Sequence, residues 1–133
     1  MKRLSFMLSC VCAFFLMASC GAPSPADEAA RCIDYLMEKD YVAIVETINV
    51  KGDTPEKQQA SKQQLLELME QKGDHMYEQK GGIASYSLVS EQISEDGMKA
   101  KVEYEVTYGN GAKEVEKFSM VMVDGVWKQD ISK

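Results

Sequence analysis

The sequence predicts an α+β domain in which three N-terminal helices pack on one face of a four-stranded antiparallel meander. Three observations carry this. Apolar residues recur at steps of three and four from Pro25 to about Tyr77. After Gly81-Gly82 the period changes to two. The second half is then divided by the turn signals SEDG, GNG and DG.

Ser24-Pro25 reads as an N-cap followed by proline at the first helical position, with Asp27 and Glu28 in the acidic first turn that a helix dipole favours. Ala29, Cys32, Ile33, Leu36 and Met37 form one stripe through about Lys39. Asp40 caps a shorter second helix, expected to be well buried because Val42, Ile44, Val45 and Ile48 crowd most of its circumference. Gly52 breaks the pattern, and Thr54-Pro55 restarts it as cap and first turn of a long helix. Its narrow stripe is Ala60, Leu65, Leu68, Met69, Met76 and Tyr77, with Gly73 as a weak point and Gly81-Gly82 as the stop.

The first strand, Ile83 to Ile93, is ambiguous: Tyr86 and Leu88 compete with Ile83, Val89 and Ile93 for the inner face. The second is clear. From Met98 to Tyr108 the even positions are apolar, while Lys99, Lys101, Glu103, Glu105 and Thr107 form the wet face. A three-residue Gly109-Asn110-Gly111 loop pairs Tyr108 with Ala112, Val102 with Phe118, Ala100 with Met120 and Met98 with Met122, and sets Glu103 against Lys117. A two-residue loop would set Lys101 against Met120 and is rejected, since a one-residue slip inverts every side chain. A two-residue Asp124-Gly125 turn pairs Met122 with Trp127 and Phe118 with Ile131.

Upstream of this domain, Lys2 and Arg3 precede a nearly unbroken apolar run, Leu4 to Ala18, the pattern of a secretory signal. As a helix the run would reach about 22 Å, short of the roughly 30 Å hydrocarbon core, so a permanent span is disfavoured. Met17-Ala18-Ser19-Cys20 resembles the bacterial lipobox, in which cleavage precedes a lipidated cysteine; Met17 departs from the more usual leucine. That resemblance makes residues 1–19 a signal peptide, Cys20 the lipidation site and 20–24 a tether to the domain 25–133. Each buried methylene contributes about 0.8 kcal/mol, so two or more acyl chains anchor where one binds reversibly. No aspartate follows Cys20. By resemblance to Gram-negative sorting rules, that points to the outer membrane, on its periplasmic side.

Removing the 19-residue leader, which takes Lys2 and Arg3 and no acid, leaves 114 residues with 13 bases and 21 acids, a net charge of −8. That length suits one domain. The acidity and the lack of a basic stripe argue against a nucleic-acid partner. Cys10 and Cys12 leave with the leader and Cys20 becomes a thioether, so Cys32 remains alone, without a disulfide partner, and reads as a small buried hydrophobe.

Three segments, PADEAARCIDYLMEKDY, GGIASYSLVSEQISEDGMKAKVEYEVTYGNG and VMVDGVWKQDI, resemble the domain of unknown function 4878 family of small bacterial lipoproteins, common in Bacteroidetes. The marks are a helix ending in acid-Tyr, paired glycines before the first strand, a Tyr-Gly-x-Gly hairpin and a terminal Gly-x-Trp-Lys strand. The resemblance implies a cystatin-like, nuclear-transport-factor-2-like (NTF2-like) cone with helix against one sheet face. It implies no catalytic residue, because that fold hosts enzymes, binders and assembly modules alike.

Within such a cone Tyr104, Tyr108, Phe118, Met120 and Trp127 are the candidate lining of a small apolar pocket, against the plainer reading that they fill the core. Glu114 and Glu116 share the parity of Phe118 and lie toward the mouth. His75, the one histidine, reads as a solvated or end-capping residue, and one histidine with one buried cysteine does not make a metal site. No cofactor is implied. The sequence therefore favours a lipid-anchored, non-catalytic module of the cell envelope that binds a small apolar ligand or an envelope protein. The alternative is an isomerase- or dehydratase-type enzyme with its pocket inside the cone, recognisable by Tyr104 and a carboxylate meeting at one enclosed point. A homodimer through the outer sheet face is a third arrangement, which the charged row there disfavours.

Overall fold

The computed structural model describes residues 23–131; the side chains of Asp74, Met76 and Tyr77 are outside that description, as are Met1 to Ala22 with Cys20. Helix α1, Pro25–Glu38, starts at a capping box: the Asp27 amide donates to Ser24 Oγ at 3.1 Å, and the Ser24 amide to Asp27 Oδ2 at 3.2 Å. Asp40 Oδ1 accepts from the Ala43 amide at 3.2 Å and opens α2, Tyr41–Glu46. Strand β1, Ile48–Asn49, follows directly. Thr54 Oγ1 accepts from the Lys57 amide and caps α3, Pro55–Glu78. Four strands complete the chain: β2, Ile83–Ile93; β3, Lys99–Tyr108; β4, Lys113–Val123; and β5, Val126–Asp130.

The sheet order is β1-β5-β4-β3-β2, antiparallel throughout except that β1 runs parallel to β5 through Ile48 opposite Gln129 and Asn49 opposite Asp130. The expected four-stranded antiparallel meander is thus a five-stranded mixed sheet. Ile48 explains the difference, since at i+4 from Ile44 it reads equally well as another helical turn, yet it is buried as a strand residue. The expectation of a well-buried second helix fails in part for the same reason. Ile44 and Val45 are buried, but Val42 points to solvent with 59 % exposure.

The predicted register of β3 and β4 is the observed one: Ala100 opposite Met120, Val102 opposite Phe118, Glu103 opposite Lys117. The Tyr108 amide donates to the Ala112 carbonyl at 2.8 Å, as a three-residue loop requires. Met122 faces Trp127 across the Asp124-Gly125 turn, but β5 stops at Asp130, so Phe118 has no strand partner in Ile131, which is 53 % exposed. Met98 is also half-exposed, at the rim rather than in the core.

Strand β2 has two irregularities, at Ala84 and Val89. Each adds one unpaired residue, so Ile83, Tyr86, Leu88, Glu91 and Ile93 all stand opposite inner-face residues of β3. No single alternation fits that set. This is why the sequence could not assign the strand.

Two buried clusters meet at Phe118. In the first, Ala26, Ala29 and Ile33 of α1 lie on Val102, Tyr104, Val106 and Trp127 of the sheet. In the second, Cys32, Ile44 and Ile48 pack with Leu65 and Met69 of α3. Gly81 and Gly82, both at positive φ, end the long-helix segment and carry it to the β3–β4 hairpin, where the Gly109 amide donates to the Gly82 carbonyl at 2.8 Å and the Asn110 amide to the Lys80 carbonyl at 3.0 Å. The paired glycines and the Tyr-Gly-x-Gly hairpin are two sides of one contact, in which a β-carbon on Gly109 would strike the Gly81 carbonyl.

Candidate functional site

The inner face of the sheet gathers the five candidate lining residues around α1. Tyr104, Tyr108, Met120 and Trp127 are buried and Phe118 is half-buried. The Tyr104 ring stands edge-on to Tyr86 at 5.5 Å and to Phe118 at 6.4 Å between centroids. Such pairs contribute about 0.5–1.5 kcal/mol beyond area burial. The five residues are brought together as packed core, although Met120 and Trp127 also reach the walls of separate surface grooves.

A tyrosine and a carboxylate both bond the start of α1 there. The Tyr104 hydroxyl donates to the Ala26 carbonyl at 2.8 Å, and Glu91 Oε2 accepts from the Ala26 amide at 2.8 Å. Both groups are thereby committed to backbone atoms of one residue in the first turn of α1. Glu91 supplies one of the acceptors that the exposed amides of a helix start require, and its charge complements the dipole. Further along, the Tyr86 hydroxyl donates to Asp34 Oδ1 at 2.6 Å. That bond and, secondarily, desolvation push the Tyr86 hydroxyl up to about 12. Burial raises Tyr104 as well, with the Asp27 charge adding to it. Both phenols are held protonated. Neither Glu91 nor Asp34 was identifiable as a site residue from sequence; the only signal for Glu91 was an acid on a strand of uncertain parity.

A second polar group lies toward the hairpin end. Lys80 Nζ is 2.8 Å from Glu114 Oε2 and 4.7 Å from the Tyr108 ring centroid, and the Tyr108 hydroxyl is 3.4 Å from Glu116 Oε1. Hydrogen bonding from Lys80 holds the Glu114 carboxyl below its usual range. An ionised acid against a lysine satisfies both partners and leaves no proton poised for transfer near neutrality.

Cys32 is buried, and its Sγ accepts from Gln129 Nε2 at 2.9 Å; the same amide reaches Thr47 Oγ1 at 3.2 Å. Burial pushes the thiol up, only partly offset by the Gln129 and Thr47 contacts. A thiol so placed is a poor nucleophile. His75 is exposed and shares a 3.0 Å contact between its Nε2 and Gln79 Nε2. Among the described residues no three His, Cys, Asp or Glu side chains gather where they could hold a metal ion, and no helix is long and apolar enough to cross a membrane. The surface does offer an apolar groove of about 380 Å³ between α3 and the chain leaving β1, lined by Val50, Leu65, Leu68 and Ile131 with Lys51, Ser61 and Gln64 at its polar points.

No curated protein matches the sequence. Among solved structures, the chain is similar to a Campylobacter jejuni protein provisionally called an NTF2-like transpeptidase, with a TM-score of 0.68 and 14 % identity over 83 % of this chain and 100 % of that one. Weaker likenesses are to Aln2 from a Streptomyces species (TM-score 0.44, 16 % identity, 81 % of this chain and 88 % of that) and the intermembrane space region of the chloroplast protein ARC6 (TM-score 0.38, 15 % identity, 77 % and 90 %). At these identities only the first carries weight, and what it carries is the NTF2-like fold. The family model for the domain of unknown function DUF4878 matches residues 18–129, nearly the whole of the helices and sheet described above, and the chain belongs to that family.

Proposed function

We propose that the protein is a lipid-anchored, non-catalytic interaction module of the bacterial cell envelope, held at the outer membrane through Cys20. The anchor rests on the sequence alone: a charged head, an apolar run too short to span, and small residues ending at Cys20. The observation that carries the non-catalytic half is that Tyr104 and Glu91 both bond the Ala26 backbone. An isomerase or dehydratase using this tyrosine and carboxylate needs them free for its substrate. Here both are committed to α1.

Transpeptidation, the activity in the name of the C. jejuni neighbour, requires a nucleophile, and Cys32 is buried with its thiol pushed up. With Tyr104 and Glu91 both committed to the α1 backbone, this reading puts recognition on the surface and favours a protein partner over a small molecule held inside the cone.

Metabolic labelling with a fatty acid tests the anchor. Wild-type protein should be labelled and retained in the membrane fraction, and Cys20→Ser should lose both; a Cys20→Ser protein that still takes label removes the reading. Xenon or benzene titration tests the interior. No saturable NMR shift should appear at Val102, Tyr104 or Val106, whereas a saturable shift at all three would reopen the pocket and with it the enzyme.

A further inference from the structure

Helix α1 runs antiparallel to β2, with Ala26 held at Glu91 and Asp34 at Tyr86. Its first residue therefore points toward the end of the sheet that carries the β2–β3 turn, Ser94 to Met98, and the β4–β5 turn at Asp124-Gly125. Cys20 lies five residues before Pro25, so the chain between them reaches at most about 18 Å. Ile93 is two residues past Glu91, about 7 Å along the strand. The opposite pole, with Asn110, lies eight residues beyond Val102, which stands opposite Glu91, about 26 Å along the sheet. A lipid on Cys20 cannot bring the opposite pole to a membrane, and the first pole lies within its reach.

That pole exposes large apolar side chains. Ile93 and Met98 stand past the start of α1, at 47 % and 48 % exposure, and Val126, 46 % exposed, opens β5 at the same end of the sheet. Leu88 and Val89 continue the strip along the edge strand, each at 52 %. Its charges are mixed: Glu95, Asp96 and Asp124 against Lys99 and Lys128. An apolar rim without excess positive charge suits a zwitterionic lipid surface rather than an anionic one.

We infer that this pole, centred on Ile93, Met98 and Val126, is a membrane-docking surface that rests on the zwitterionic phospholipid bilayer to which Cys20 is anchored. The inference depends on the lipid-anchor reading above. The tether supplies the high local concentration, and the apolar rim sets the orientation, leaving the β3–β4 hairpin directed into the periplasm.

The test uses the full acylated chain in vesicles of phosphatidylcholine and phosphatidylethanolamine that include a lipid with a nitroxide headgroup. A dye is placed at Gln92→Cys or, at the far pole, at Lys113→Cys; Cys20 is blocked by its lipid and Cys32 is buried. Quenching at 92 should exceed that at 113 at least fivefold. The asymmetry should persist when twenty Gly/Ser residues are inserted between Ala22 and Pro23, and it should vanish when Ile93→Glu and Met98→Glu are added to that longer chain, with far-ultraviolet circular dichroism unchanged. A Val126→Glu variant with the long tether should lose at least half of it. Equal quenching at both poles, or asymmetry lost on lengthening the tether alone, overturns the docking surface and leaves the rim to a protein occupant. Failure of the wild-type chain to float with vesicles overturns the anchor, and the docking surface with it, so the two failures are distinguishable.

Discussion

Gly73 passes beneath the ring of Tyr41 so closely that a β-carbon at position 73 would lie 2.9 Å from the phenolic oxygen and 3.0 Å from two ring carbons. The weak point of a long helix is thus a point where α3 closely approaches α2. Alanine in place of a helical glycine ordinarily gains up to about 1 kcal/mol in propensity. Here the ring must move, and overpacking typically costs about 1–3 kcal/mol. Gly73→Ala should therefore destabilise by about 1 kcal/mol in urea denaturation. In a Tyr41→Ala background the same change should stabilise by about the propensity gain. No change of sign between the two backgrounds would show that the contact does not constrain position 73.

Tyr104 and Glu91 make opposite hydrogen bonds to the backbone of Ala26, and each is open to a conservative test. Tyr104→Phe removes a buried donor from the Ala26 carbonyl and should cost about 1 kcal/mol. Glu91→Gln keeps an acceptor for the Ala26 amide but loses the charge at the helix start, a change of about 0.5 kcal/mol that salt should shrink. Urea midpoints at low and high ionic strength separate the two. An effect of Tyr104→Phe that depends on salt as strongly as that of Glu91→Gln would contradict the assignment.

Alkaline pH should loosen the grip of α1 on β2. The Tyr86 hydroxyl is raised from 10 to about 12, chiefly by donating to Asp34. For a group raised on folding, its contribution is complete below the unfolded value and is lost as pH climbs to the folded one. The window is thus pH 10 to 12. After discounting for solvent screening at this partly exposed pair, the loss is about 1 kcal/mol. Burial of Tyr104 adds to it in the same direction. Stability measured from pH 9 to 12 should fall for the wild type and fall less for Tyr86→Phe.

How much of this was legible depended on whether local pattern and tertiary partner agreed. The capping box at Ser24, the β3–β4 register and the inward set Val102, Tyr104, Val106 and Tyr108 were readable because one periodicity and one turn length fix them. Strand β1 was not, because two residues have no period and Ile48 continues a helical one. The candidate pocket was half legible. Its five side chains do share a face, but whether a face is cavity or core depends on what lies above it, and the depth at which α1 sits, set by Ala26 and Ala29, carries no sequence signature of its own. Glu91 was hidden for another reason: its inward position depends on the irregularity at Val89, which no glycine or turn residue marks.

That bulge gives the last prediction. Val89 falls between Leu88, opposite Tyr104, and Ser90, opposite Glu103, and has no partner of its own. It is half-exposed. Deleting one residue from a strand ordinarily moves every later side chain to the wrong face. Deleting Val89 should instead leave Ser90 facing out, Glu91 at Ala26 and Ile93 opposite Ala100, because it restores the plain alternation that the extra residue interrupts. The expected cost is under about 2 kcal/mol, with the upfield NMR shifts of the Tyr86–Tyr104 pair retained. A second deletion, of Gln92, has no bulge left to absorb it and should invert Ile93; it should cost more than the removal of Val89. Equal costs for the two deletions would mean that the register of β2 is held by its turns and not by the bulge.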